Sequence, residues 1–173
     1  FWASMVKLEA DQEPKQRIYA SWTKGFREYT EPFIYMEREE HVIDTTIIEA
    51  DDMYYRISKD ESNKCLILEK SRELTGEYEE ISSEVLKHLM GVPECYPLPE
   101  GKGWCLIADR FAEGKGYLPL VTTDPGSGKF TILSDGEYHM GATQKRHGGV
   151  MVLEDGEYEQ LERFFDRKYP VID

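Results

Sequence analysis

Val42-Ile43-Asp44-Thr45-Thr46-Ile47-Ile48-Glu49-Ala50-Asp51-Asp52-Met53-Tyr54-Tyr55-Arg56-Ile57 is the stretch on which the fold turns. Its first half, His41 to Glu49, is rich in β-branched residues, and its second, Met53 to Ile57, in aromatics; both suit a pleated surface. Asp51-Asp52 supplies the turn between them, so the stretch predicts a hairpin. Lys64 to Lys70 then reads as another apolar strand, Ser71 to Gly76 as a turn and Glu77 to Ile81 as a short extended piece.

The same habit continues on both sides. Upstream, Arg17 to Trp22 alternates Ile18, Ala20 and Trp22 with polar neighbours, Thr30 to Met36 follows, and Phe1-Trp2-Ala3-Ser4 predicts the end of a buried strand. Downstream, Ser82 to Leu89 predicts a serine-capped helical turn ended by Gly91 and Pro93. Glu94 to Leu98 and Gly103 to Asp109 are apolar segments joined by the turn Pro99-Glu100-Gly101-Lys102. Gly116 to Thr123 and Lys129 to Leu133 flank Asp124-Pro125-Gly126-Ser127-Gly128, and Val150 to Leu153 reads as the last strand. Asp155 to Phe165 predicts a helix whose Tyr158, Leu161, Phe164 and Phe165 share one face, expected to pack on the sheet edge.

Helical crossovers of about 10 to 15 residues are absent between these strands, which excludes a doubly wound α/β fold and leaves an antiparallel all-β class. Val42 to Ile81 and Glu94 to Leu133 each hold four strand-like pieces in about 40 residues, the period of a propeller blade. A two-sheet sandwich of similar spacing is the alternative.

A length of 173 residues fits one domain, and 40% hydrophobic with 32% charged residues argues against disorder or low complexity. Lys and Arg number 21 against 34 Asp and Glu, for a net charge of −13, and the densest basic run is only Lys145-Arg146-His147. Nucleic acid, which demands a positive footprint, is therefore not an expected partner. No run of about 18 apolar residues could cross a membrane as a helix, and no signal-peptide pattern is visible; the compartment stays open, an exported mature form included. Cys65, Cys95 and Cys105 form no ligand cluster, and their apolar neighbours predict reduced, partly buried thiols.

Several motifs, taken in order, resemble the five-bladed β-propeller glycoside hydrolases of family 43 and their relatives, which include arabinosidases, xylosidases and arabinanases. Phe1-Trp2-Ala3-Ser4 resembles the end of an inner strand. Trp22-Thr23-Lys24-Gly25-Phe26 with Tyr29-Thr30-Glu31-Pro32 resembles a motif in which Asp is more usual at the Gly25 position. Val42 to Ile48, Tyr54-Tyr55 and Ser58-Lys59-Asp60 resemble the strand pair that carries one of the family's carboxylates. Trp104 to Phe111, Gly116 to Leu120 and Lys145-Arg146-His147-Gly148-Gly149-Val150 are similar to later segments, the last to a closing Arg-His-Gly motif. The resemblance implies an incomplete five-bladed propeller, about its last three blades, with a short C-terminal helix. On that reading 1–36 is the remainder of an early blade, 37–90 and 91–135 are blades, and 136–173 is the closing segment with the helix. A second copy or an amino-terminal fragment would complete the propeller, and the family's catalytic base would lie before Phe1.

The implied activity is hydrolysis of arabinose- or xylose-containing glycans by general acid–base catalysis with inversion. The partner is an oligosaccharide or polysaccharide. A silent carbohydrate-binding or structural segment is the alternative. Such hydrolysis needs a carboxyl proton donor and a second carboxylate. Asp44 matches the carboxylate that orients and tunes the acid; its plainer reading is a strand-end Asp near solvent. Glu94 is a displaced candidate for the acid, since Gly91-Val92-Pro93-Glu94-Cys95-Tyr96 lacks the family's Glu-Gly before proline; otherwise it is a solvated strand-start residue. A disrupted motif or residues missing between Val92 and Pro93 would account for the departure. His147 matches a histidine facing the central channel, where a structural calcium is implied although no cofactor is required; a hydrogen-bonded core or exposed histidine is the other reading. Arg110 offers a donor fork to a sugar or a surface ion pair. Trp22 and Tyr117 are the chosen sugar-stacking candidates, while Trp104, Tyr54 and Tyr55 fit packing equally well. The glycines Gly114 and Gly116, and the 124–128 turn, lack the features of a phosphate cradle.

Overall fold

The computed structural model describes residues 1–168, so residues 169–173 of the expected closing segment lie outside the described residues. The strands are β1 Trp2–Val6, β2 Lys15–Ala20, β3 Thr23–Lys24, β4 Glu28–Tyr29, β5 Phe33–Met36, β6 Val42–Ala50, β7 Met53–Asp60, β8 Cys65–Ser71, β9 Glu79–Ile81, β10 Pro93–Pro97, β11 Trp104–Asp109, β12 Tyr117–Thr122 and β13 Thr131–Ile132. Two short α-helices, α1 Glu84–Lys87 and α2 Glu157–Lys168, accompany them. The fold is all-β, in four small antiparallel sheets: β1-β2-β5, the hairpin β3-β4, and the meanders β6-β7-β8-β9 and β10-β11-β12-β13.

The hairpin at the centre of the sequence forms as its pattern predicts. Ala50 pairs with Met53, and Asp51 and Asp52 take φ of 51° and 58°. Two positive φ values in a two-residue loop match the right-handed twist of the flanking strands, and Asp tolerates that backbone. Gly25, where the resembled motif has Asp, takes a φ of +68°.

Alternation along β7 assigns its two faces to two neighbours. Tyr55 and Ile57, with Leu66 and Leu68 of β8, pack against Cys95, Leu106, Ala108 and Leu120 of the next meander, with Leu86 and Leu89 beside them. Leu86, Leu106 and Leu120 are fully buried, and each such side chain contributes about 1.5–3 kcal/mol. The opposite face carries Arg56, which pairs with Glu69 at 2.9 Å and lies 3.9 Å above the Tyr78 ring. Glu69 also holds Arg38 at 3.1 Å, and Ser58 meets Met36 of the first sheet. The middle meander is thus covered on both faces, by apolar packing on one side and an ionic and aromatic layer on the other.

Some sequence expectations need correction. The strand at the amino terminus is exposed rather than buried: Phe1 is 57% and Trp2 44% accessible, because β1 is the edge of its sheet. Val150 to Leu153 is not a strand; its apolar residues face solvent, and the Val150 N–H goes to a side chain instead of a ladder. Ser83 occupies the N-cap of α1, yet its hydroxyl makes no capping bond. The face of α2 carrying Tyr158, Leu161, Phe164 and Phe165 stays exposed instead of packed on the sheet edge. An amphipathic pattern fixes which residues share a face but not what covers it. Cys65, Cys95 and Cys105 are free thiols, and burial pushes Cys95 up to about 12.

Candidate functional site

The first strands of the two meanders, β6 and β10, lie side by side, joined where the Cys95 N–H donates to Thr46 Oγ1 at 3.2 Å. Asp44 is near the start of β6 and Glu94 near the start of β10. The β6–β7 register shifts between Ile43 and Thr46, and at that irregularity Asp44 takes a φ of 50°. A bulge breaks strict alternation and re-aims a side chain out of the ladder, and Asp is among the few residues that accept the left-handed region. Burial pushes the Asp44 carboxyl above its ordinary value, against the pull of Lys59 and His147 and with a smaller push from Glu61. An aspartate in this setting keeps its proton to higher pH than a free one.

The segment 146–150 crosses these strand ends and engages each part of the site. Arg146 Nε donates to Asp109 Oδ2 at 3.2 Å, and His147 Nε2 lies 3.6 Å from the same oxygen. The Gly148 N–H donates to the Tyr117 hydroxyl, and the Val150 N–H to Glu94 Oε1 at 3.1 Å. His147, like Asp44, has a left-handed backbone, with φ 44°. Strain of this kind costs of order 1–3 kcal/mol per residue and persists only where surrounding contacts impose it. Asp109, at the end of β11, is fully buried, and its Oδ1 has no hydrogen-bond partner among the described residues. Lys59 is buried as well, paired to Glu61 Oε2 at 2.6 Å and set 4.4 Å from the Phe111 ring centre, a ring that Arg146 also faces.

The structure therefore brings together Asp44, Glu94, His147 and Tyr117 of the sequence-selected residues. It leaves two elsewhere. Trp22 is 53% exposed and lines a separate small apolar cavity with Phe1, Phe33, Tyr35 and Ile47. Arg110 turns its guanidinium onto the carbonyls of Lys115, Gly116 and Tyr117, at 3.2–3.4 Å, and so braces the turn before β12. Asp109, Arg146, Lys59 and Phe111 escaped selection from sequence. The sequence signal was the interruption of apolar strands by Asp109 and Lys59, since buried charges are rare unless paired.

The calcium implied beside His147 meets no cluster of acidic side chains there among the described residues. Such an ion takes about six to eight oxygens. Among the described residues no group of three or more His, Cys, Asp or Glu side chains converges as a metal site, and the Asp109 carboxylate already holds Arg146.

The first strands of adjoining meanders thus each carry a candidate carboxyl, Asp44 held above its usual range and Glu94 bonded to a segment that also presents an imidazole and a guanidinium. That arrangement suits proton transfer to and stabilisation of a polar bond under attack. Comparison with curated proteins returns no match. Residues 1–159 match a family, related to glycoside hydrolase family 43, described as a probable glycosyl hydrolase domain. With that match across both meanders and the 146–150 segment, the chain belongs to this family of glycosyl hydrolase-like domains.

Proposed function

We propose that this domain serves hydrolysis of arabinose- or xylose-containing glycans by general acid–base catalysis with inversion, and that its two meanders are adjacent blades of a propeller. Glu94 is the proton donor to the leaving oxygen, and Asp44 orients and tunes it. His147, held with Arg146 by Asp109, faces Asp44 across the site. The base that activates water is not assigned to any described residue. One observation carries the reading: Asp44 and Glu94 lie near the starts of the first strands of adjoining meanders, Glu94 bonded to the 146–150 segment and Asp44 within electrostatic reach of its His147. A pair of carboxyl groups flanking the scissile bond is what glycoside hydrolysis requires.

The test is turnover of aryl-arabinosides and aryl-xylosides by this domain within the protein that supplies the water-activating base, as wild type and as Glu94→Gln, with the product anomer followed by NMR. Loss of a proton donor is expected to lower turnover by about 10²–10⁴-fold, most for poor leaving groups. A Glu94→Gln variant with wild-type turnover eliminates Glu94 as the acid. A second reading, carbohydrate binding without catalysis, is favoured by the bond that already occupies Glu94 Oε1. It predicts oligosaccharide binding with no turnover of either aryl substrate.

A further inference from the structure

We propose that the cavity adjoining Glu94 is a subsite for an acidic sugar, a uronic acid residue held through its carboxylate. The inference deepens the hydrolase reading and rests on it for the cavity's place beside a reacting bond. The cavity has a volume of about 560 Å³ and lies between the outer face of β10–β12 and the 139–150 segment. That size falls within the range of about 300–1,000 Å³ of small-molecule sites.

Its lining runs against the composition of the chain. Acidic residues outnumber basic ones 34 to 21 in the sequence, yet the side chains that line this cavity include Lys145, Arg146 and His139 and no Asp or Glu, Glu94 standing behind the Val150 backbone. Asp109 answers Arg146 from beneath, through Nε. Lys145 has no carboxylate partner among the described residues; its ammonium is held in place by Thr143, at 2.6 Å from Oγ1 and 3.3 Å from the carbonyl. A placed ammonium and a guanidinium whose orientation is already fixed lose little freedom on meeting an anion.

Tyr96 and Tyr117 supply aromatic wall, the surface on which the apolar face of a pyranose ring packs. Val150 forms part of the same lining, and its N–H is the one bonded to Glu94 Oε1, so the cavity and the candidate acid share a wall. A neutral pentose would leave the cationic side of the cavity to water. A carboxylate on the sugar ring gains charge-assisted hydrogen bonds there, which are roughly twice as strong as neutral ones.

The experiment compares binding of digalacturonic acid with that of its dimethyl ester, which keeps the rings and removes the charge, by NMR titration and calorimetry. The wild-type chain is expected to favour the acid by about tenfold or more at low salt. This preference should shrink toward unity at about 0.5 M salt and fall severalfold in a Lys145→Gln/His139→Gln double variant, which keeps Arg146. Both positions are on the surface segment, and an unchanged melting curve certifies the fold of the variant. Equal binding of acid and ester by the wild type, or a preference undiminished in the double variant, overturns the proposal. The readout is binding alone, so a failure of the hydrolase reading, seen as absent turnover, is registered separately.

Discussion

Replacing Asp44 with Asn separates the backbone demand at this position from the demand of the chemistry. The φ of 50° places the residue in the left-handed region, where an Ala side chain costs about 1–2 kcal/mol but Asn, like Asp, is tolerated. The carboxyl is half buried and held above its ordinary 3.8 by that burial. A carboxyl with a raised folded-state pKa contributes most to stability while protonated, below its unfolded value, and that contribution is lost as pH rises through the folded value. Above that folded value the ionised Asp44 is therefore a liability that Asn removes. The expected order of unfolding free energies from urea denaturation at pH 7 is Asp44→Asn at or above wild type, and Asp44→Ala about 1–2 kcal/mol below Asp44→Asn. The gain of Asp44→Asn over wild type should vanish as pH falls below 3.8, where the native carboxyl is protonated in both states. Turnover of aryl-arabinosides or aryl-xylosides should fall by about 10²-fold or more if Asp44 tunes the acid. Wild-type turnover in Asp44→Asn refutes the assigned role. A midpoint for Asp44→Asn below that of Asp44→Ala refutes the backbone argument.

At Asp109, Asn loses a charge-assisted bond of about 1.5–3 kcal/mol, at the low end because the Arg146 side chain is 49% exposed, and relieves a buried carboxylate whose Oδ1 is unpartnered. Asp109→Asn is therefore expected to change stability by less than about 1 kcal/mol while lowering turnover about tenfold through the loosened Arg146 and His147; a lower melting temperature with full turnover would count against it. Glu69→Gln leaves Arg56, 5% exposed, without its counter-charge and should cost about 3 kcal/mol in urea denaturation, with a loss under about 1 kcal/mol the contrary result. At Gly103, with φ +101°, a Cβ would lie 2.2 Å from the Thr122 carbonyl oxygen, so Gly103→Ala should cost about 2 kcal/mol or more. Equal stabilities of that variant and wild type would show that the turn relaxes freely.

The strand pieces of 42–81 and 94–133 were legible because a hairpin is a local object: β-branched and aromatic runs, Asp-Asp, Asp-Pro-Gly and Pro-Glu-Gly turns all act within a few residues. Edge exposure was not legible. Phe1-Trp2-Ala3-Ser4 and Val150-Met151-Val152-Leu153 have strand-like composition, but whether such a run is paired and covered depends on partners remote in sequence, and these two runs are largely uncovered. For the site, family motifs drew attention to Asp44, Glu94, His147 and Tyr117, which the structure brings together. The same reasoning passed over Asp109 and Lys59, because a charge within a strand carries no sequence mark of what pairs with it.

By itself, then, the sequence determined an all-β chain, its turns and the order of its carboxylates, since backbone sterics and side-chain periodicity operate over short spans. Only the tertiary structure decided that Glu94 meets the Val150 N–H from 56 positions away, that Asp109 holds Arg146 across 37, and that Arg110 is spent on its own turn. Those contacts depend on how β6 and β10 dock and how the 146–150 segment crosses them. Packing of the sheets fixes that arrangement, and no local pattern records it.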